Sequence, residues 1–172
     1  MFVATIFLIL VITAINSTSA CGPYYWKICD GAVPDDAVLT EDTTIFVSRV
    51  CAGGHHDRMS CYTATYNSID MTSTANVNRH RDIFYKNRMI LCTSNPELLR
   101  WEFVNIESLT GDFLNKVVSA GSLDGTDRYV GKVFHENEWK ISTVEPGKGL
   151  LIWANEDGTD VVVTDFQVLV IQ

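Results

Sequence analysis

Two hydrophobic patterns divide this chain. From Phe2 to Ile15 the residues are apolar without interruption except at Thr5 and Thr13. Beyond Cys21 the apolar positions fall into short runs that alternate with polar ones, and the period is two rather than 3.6. Thr43–Val50, Arg128–Phe134, Gly149–Trp153, Val161–Val163 and Phe166–Ile171 are rich in β-branched and aromatic residues. Asp124-Gly125, Pro146-Gly147 and Asp157-Gly158 supply turns between them. These runs are too short and too β-branched to be buried helices. A helical turn is expected only in places such as Asn95–Arg100, where Asn95 can cap and Pro96 can open it. The pattern predicts an all-β fold of antiparallel sheet with little helix.

The pattern also repeats. Trp26 is followed by Gly31–Leu39 and then Ile45-Phe46-Val47-Ser48-Arg49-Val50; Trp101 is followed by Gly111–Val118 and then Arg128-Tyr129-Val130-Gly131-Lys132-Val133. Asp82–Cys92 closes the first series as Asp160–Val170 closes the second. A period near 80 residues is too long for a solenoid unit and suits two lobes, each too small to bury enough surface alone. The expectation is two tandem homologous antiparallel β lobes packed with pseudo-two-fold symmetry, residues 21–98 and 99–172, forming one compact unit over 21–172.

The first apolar stretch has a different meaning. It is too short for a transmembrane helix, which needs about 20 residues. Small residues follow it, with Thr18 and Ala20 at positions −3 and −1 of a cleavage site before Cys21. Residues 1–20 are read as a signal peptide. No Lys or Arg precedes Lys27, which leaves a signal anchor as the competing reading, and Thr18 stands where a lipidation signal would need Leu. The protein is expected to be secreted and extracellular, with no membrane span. A net charge of −8 argues against nucleic acid as a partner. Export makes disulfides the default reading of Cys21, Cys29, Cys51, Cys61 and Cys92; the odd count leaves at least one thiol over, and four of the five lie in the first half. The pairing is open. A homodimer could form through the odd cysteine or an open sheet edge.

Some of these residues carry a family resemblance. Gly31-Ala32-Val33-Pro34, followed by Ala37-Val38, resembles the opening of the DM-nine repeat family. Ala120-Gly121, Asp124-Gly125, Tyr129-Val130-Gly131-Lys132 and Phe134-His135-Glu136 resemble its core, and Phe166-Gln167-Val168-Leu169 its closing strand. The resemblance covers nearly the whole of residues 21–172 as two repeats, the first degenerate. It implies a small β protein of a family that includes mannose-binding lectins implicated in immune recognition, some of whose members carry a farnesoic-acid methyltransferase-like label. No nucleotide-binding glycine loop supports a methyltransferase here.

In the lectin members an Asp in a Gly-x-Asp turn and a Lys in a Pro-Gly-Lys turn hold the sugar. Vicinal hydroxyls need an acceptor and a charged donor held rigidly together. Carried onto this chain, the Asp position falls on Ser122 with Asp124 two residues later, and the Lys position on Thr143 with Lys140 three residues earlier. Pro146-Gly147-Lys148 reproduces the letters further on. In the first repeat the turn shortens to Thr40-Glu41-Asp42, Ser60 takes the Lys position, and Arg58 is the nearest base. The candidate sugar-binding residues are therefore Asp124 with Lys140 and Asp42 with Arg58.

Other chemistry is less well founded. His55 and His56 are adjacent and would point to opposite faces of a strand, so no metal site is expected, and no cofactor either. A nucleophile from Cys51 or Cys61 with His55 or His56 competes with disulfide formation, and no Gly-x-Ser-x-Gly elbow is present. Trp26 and Trp101 hold equivalent positions, which favours packing; Trp139 and Trp153 do not, and either can flank a sugar or fill the lobe interface. The sequence therefore points to a secreted recognition protein rather than an enzyme, with a glycan as its leading partner. A secreted or cell-surface protein partner, after loss of the sugar site, is the alternative, and a hydrolase is the third reading.

Overall fold

The computed structural model describes residues 22–53, 59–123 and 125–172. The expected signal peptide lies outside them, as do Cys21, the segment from His55 to Arg58, and Asp124. Among the described residues no helix is long and apolar enough to cross a membrane.

Among the described residues the alternating runs form thirteen strands in two antiparallel sheets. The first sheet contains β1 (Tyr25–Ile28), β2 (Ile45–Gly53), β3 (Met59–Asn67), β4 (Thr72–Val77), β5 (His80–Phe84) and β6 (Arg88–Cys92). The second contains β7 (Leu99–Asn105), β8 (Ser119–Leu123), β9 (Thr126–His135), β10 (Glu138–Glu145), β11 (Gly149–Trp153), β12 (Asp160–Val163) and β13 (Asp165–Ile171). The expected turn at Asn95 is a short 3-10 helix, Pro96–Leu98, with the Asn95 side chain accepting from the Glu97 amide at 3.2 Å. Leu99 and Arg100, expected to continue it, instead begin β7. Two further helical turns among the described residues, a 3-10 turn at Ile106–Ser108 and α1 (Gly111–Leu114), had no counterpart in the sequence pattern.

The two sheets share one plan. The first runs β1-β6-β2-β3-β4-β5 and the second β7-β13-β9-β10-β11-β12, with β8 added against β9. The registers make the equivalence residue-specific. Trp26 faces Leu91 as Trp101 faces Leu169; Ser48 faces Ile90 and Ala64 as Gly131 faces Val168 and Ser142. Arg49 thus corresponds to Lys132. Their cationic groups stack in the same way, the Arg49 guanidinium 4.6 Å from the Trp26 ring centroid and Lys132 Nζ 4.3 Å from that of Trp101. His80 and Thr159 are equivalent, and they bridge each other, so the pseudo-two-fold axis passes between them.

The core forms where the two plans face one another. Val47, Leu91, Val130, Ile141 and Leu169 are almost fully buried in one cluster drawn from both lobes, with Trp26 and Trp101 against it. Burying each aliphatic side chain contributes roughly 1.5–3 kcal/mol. The lobes are also joined through their backbones. Near the interface β3 has separated from β4, and β10 from β11, so Thr63 and Ile141 have no ladder partner on that side. The Thr143 hydroxyl accepts from the Thr63 amide at 3.1 Å, and the Thr65 hydroxyl accepts from the Ile141 amide at 2.7 Å. These residues are symmetry mates, so each lobe satisfies an amide the other leaves open. A disulfide joins Cys51 and Cys61 across β2 and β3, in the half where bridges were expected, and removes both sulfurs as nucleophiles. Cys29 and Cys92 are buried thiols. Burial, followed by the nearby Asp36 carboxylate, pushes the Cys92 thiol up to about 12, so it carries no thiolate at neutral pH.

Candidate functional site

The symmetric plan opens two clefts, one on each side of the axis. The first, about 410 Å³, lies between β3–β5 of the first lobe and the β9–β10 hairpin and Trp153 of the second. That volume lies within the range of small-ligand sites. Three carboxylates line it, Asp42, Asp70 and Glu138, together with the single guanidinium of Arg81 and the indoles of Trp139 and Trp153.

Asp42 is in the turn before β2. Its Oδ1 accepts from the Thr44 amide at 2.8 Å and the Thr44 hydroxyl at 2.6 Å. Those two bonds, the hydroxyl's first, hold the carboxyl below its usual range. The side chain is thus a fixed, ionised acceptor at neutral pH. Arg81, exposed on β5, donates Nη1 to the Asn155 carbonyl at 3.3 Å, which directs it along the cleft.

Trp139 is half-buried in the wall. Lys132 Nζ lies 4.7 Å from its centroid as well as beside Trp101, and the exposed Phe134 meets it edge-on at 5.5 Å. Lys132 is fully buried, and its ammonium is hydrogen-bonded to Glu41 of the first lobe. Burial pulls the Lys132 pKa down while the Glu41 contact opposes it. Burial acts most strongly on Glu41 and raises it, but the Lys132 hydrogen bond, a backbone hydrogen bond and the Lys132 charge together outweigh it, leaving this carboxyl below its usual range.

Lys140 is fully buried, and its ammonium has three internal contacts: Glu136 at 2.6 Å, the Trp153 carbonyl at 2.7 Å and Glu138 at 3.5 Å. Glu136 Oε2 also accepts from the Asn155 amide at 2.8 Å. Glu136 and Asn137 form the hairpin turn at positive φ, 52° and 64°, as a two-residue turn of this hand requires. Lys140 therefore positions the cleft wall from behind rather than presenting its charge to the cleft.

Of the four candidate residues, Asp42 lines the first cleft and Lys140 props its opposite wall, although the sequence analysis had placed them in separate sites. Arg58 and Asp124 lie outside the described residues. Trp139 and Trp153 both reach the cleft, while Trp26 and Trp101 pack in the shared core. The sequence analysis missed Asp70, Arg81 and Glu138. Each belongs to a strand or turn whose neighbour across the cleft is in the other lobe, and only the long-range register brings them together.

The second cleft, about 300 Å³, is the symmetry mate of the first. Thr143 stands for Thr65, Glu145 for Asn67, Asp160 for Arg81, Cys61 for Trp139 and Asn76 for Trp153. The two indoles are gone, and Tyr62 is the aromatic side chain among the lining residues. Three cations, Arg79, Arg128 and Lys148, face two carboxylates.

No family model matches this chain, and no curated protein matches it. Among solved structures it is similar to the nematode sperm cell motility protein MFP2B, with a TM-score of 0.54 at 8% identity over 87% of this chain. The chain spans 44% of that protein's length, and the likeness is one of β-rich fold.

Proposed function

We propose that this chain is a secreted glycan-recognition protein, and that a neutral hexose occupies the first cleft. The carrying observation is the convergence of two indoles, an ionised acceptor fixed at Asp42 and the charged donor of Arg81 on one cleft of about 410 Å³. A hexose has an apolar face that stacks on an indole and vicinal hydroxyls that bridge an acceptor and a cationic donor. The resemblance to the DM-nine repeat family supports a mannose-type sugar, and the signal-peptide pattern supports an extracellular role. A glycan array probed with residues 21–172, beside Asp42→Asn and Trp139→Ala, tests the reading. Binding to hexose-terminated glycans is expected, weakened about tenfold or more in both variants. Silence across the array, or binding indifferent to both substitutions, overturns it.

One observation favours the alternative, a protein-binding factor without a sugar site. Thr143, where the family resemblance expects the donor Lys, is buried and its hydroxyl is committed to the Thr63 amide. A silent array is the outcome that reading requires.

A further inference from the structure

We infer that the second cleft binds the sulfate group of an acidic sugar; this rests on the glycan-recognition reading and assigns the other cleft a different ligand class. Symmetry gives the two clefts the same backbone frame, while their side chains have opposite chemistry. Where the first carries three carboxylates against one guanidinium, the second carries Arg79, Arg128 and Lys148 against Glu145 and Asp160. In a chain of net charge −8 this is a local reversal of sign.

The donors are arranged from floor to rim. Arg128 is buried, with Nη2 3.0 Å from Glu145 Oε1. Lys148 Nζ lies 2.6 Å from the other oxygen, Glu145 Oε2, and its side chain is two-thirds exposed. One carboxylate thus bridges two cations in a fork, the geometry in which guanidinium and ammonium groups hold an oxyanion. Glu145 neutralises part of this charge and fixes Arg128 in place. Asp160 is engaged by the Asn76 side chain at 2.6 Å. Arg79 has no carboxylate partner among the described residues and stands exposed at the tip of the β4–β5 hairpin. It adopts φ of +69°, beside Asn78 at +51°. A two-residue turn of this kind favours Asn and Gly, and an arginine there holds a strained backbone with its charge at the cleft mouth. Lys148 and Arg79 therefore supply free donor capacity at the rim, above a floor already organised by Arg128 and Glu145. The indoles are missing and Tyr62, the aromatic side chain that lines this cleft, is buried, so charge has to carry most of the recognition.

Calorimetric titration with a heparin-derived hexasaccharide, its desulfated counterpart and inorganic sulfate tests the inference. The probes are applied to residues 21–172, to Arg79→Gln/Lys148→Gln and to Asp42→Asn. Glu145 keeps its Arg128 partner when the exposed Lys148 is replaced, so the double variant should stay folded, with a melting temperature lowered by no more than about 4 °C. The sulfated hexasaccharide is expected to bind, to weaken as salt rises, and to lose about tenfold or more in the double variant while Asp42→Asn leaves it unchanged. Absence of binding, equal binding by the double variant, equal binding of the desulfated sugar, or inorganic sulfate binding as tightly as the hexasaccharide would overturn it. The two readings fail separately. Neutral-glycan binding without heparin binding removes this inference alone. Heparin binding lost in the double variant, with the neutral array silent, removes only the hexose reading.

Discussion

Gly131 and Ser48 occupy one position in the two lobes, and their neighbours differ to match. A Cβ on Gly131 would stand 2.4 Å from Val144 Cγ2 and 2.9 Å from Leu150 Cδ1. In the first lobe Leu150's equivalent is Ser73, whose hydroxyl meets that of Ser48 at 2.8 Å. The second lobe has exchanged a hydroxyl pair for a leucine over a bare backbone. Gly131→Ala should therefore cost about 1–3 kcal/mol through overpacking, read as a lower midpoint in urea unfolding with an unchanged slope. Ser48→Gly has no such conflict to relieve. The Ser48/Gly131 equivalence was legible in the sequence, since Ile45–Val50 and Arg128–Val133 fall in the same register there and in the fold. Its packing reason was not, because Leu150 reaches Gly131 only through β10.

At the scale of elements, strands were easier to read than their partners. Gly149–Trp153 coincides with β11, and the Asn95 cap was visible because Asn, Pro and Glu in sequence specify a turn without help from distant residues. The closing segments were legible as single runs, yet each is two strands: β5 turns into β6 through Asn87 at a φ of 56°, and β12 passes into β13 at Thr164. Strand β3 escaped notice altogether. Ser60, Thr63, Ala64 and Thr65 are small or polar although buried, so they give little hydrophobic signal. Their composition follows from their task, which is to approach β10 closely and supply hydroxyls to it. Thr65→Val keeps the shape and removes the acceptor for the Ile141 amide. The expected loss is about 1–3 kcal/mol, the cost of a buried donor left unpaired, with faster hydrogen exchange at Ile141 as the local readout. The clefts were illegible for a related reason: each is walled by both lobes, and no window of sequence contains one.

For the molecule as a whole, the carboxylates set the response to acid. Asp36, Glu41, Asp42, Glu136 and Asp157 all lie below their usual range in the fold, through hydrogen bonds from Tyr25 to Asp36, Thr44 to Asp42, Lys140 to Glu136 and Thr159 to Asp157, and at Glu41 through Lys132 and a backbone hydrogen bond acting together against burial. A folded pKa below the unfolded one means that the unfolded chain binds more protons. The stability these groups supply is thus present above pH ~4 and is lost as pH falls through their folded values. Melting temperature should be level from neutral pH down to about pH 5 and decline below about pH 4. A melting temperature that rises on acidification would contradict the assignment. Glu41–Lys132 makes this more than a surface effect, since protonating Glu41 leaves a buried ammonium of the other lobe without its partner.

The exchange of hydroxyls across the axis has a consequence for synthesis. Translation delivers the first lobe complete at Cys92 while Thr143, which its Thr63 amide requires, is still dozens of residues away. At ordinary elongation rates that is a wait of several seconds, long compared with strand pairing. During it the nascent half carries a parted ladder and half of a shared core, and the disulfide at Cys51–Cys61 is the covalent tie available to hold β2 against β3 until the second half arrives.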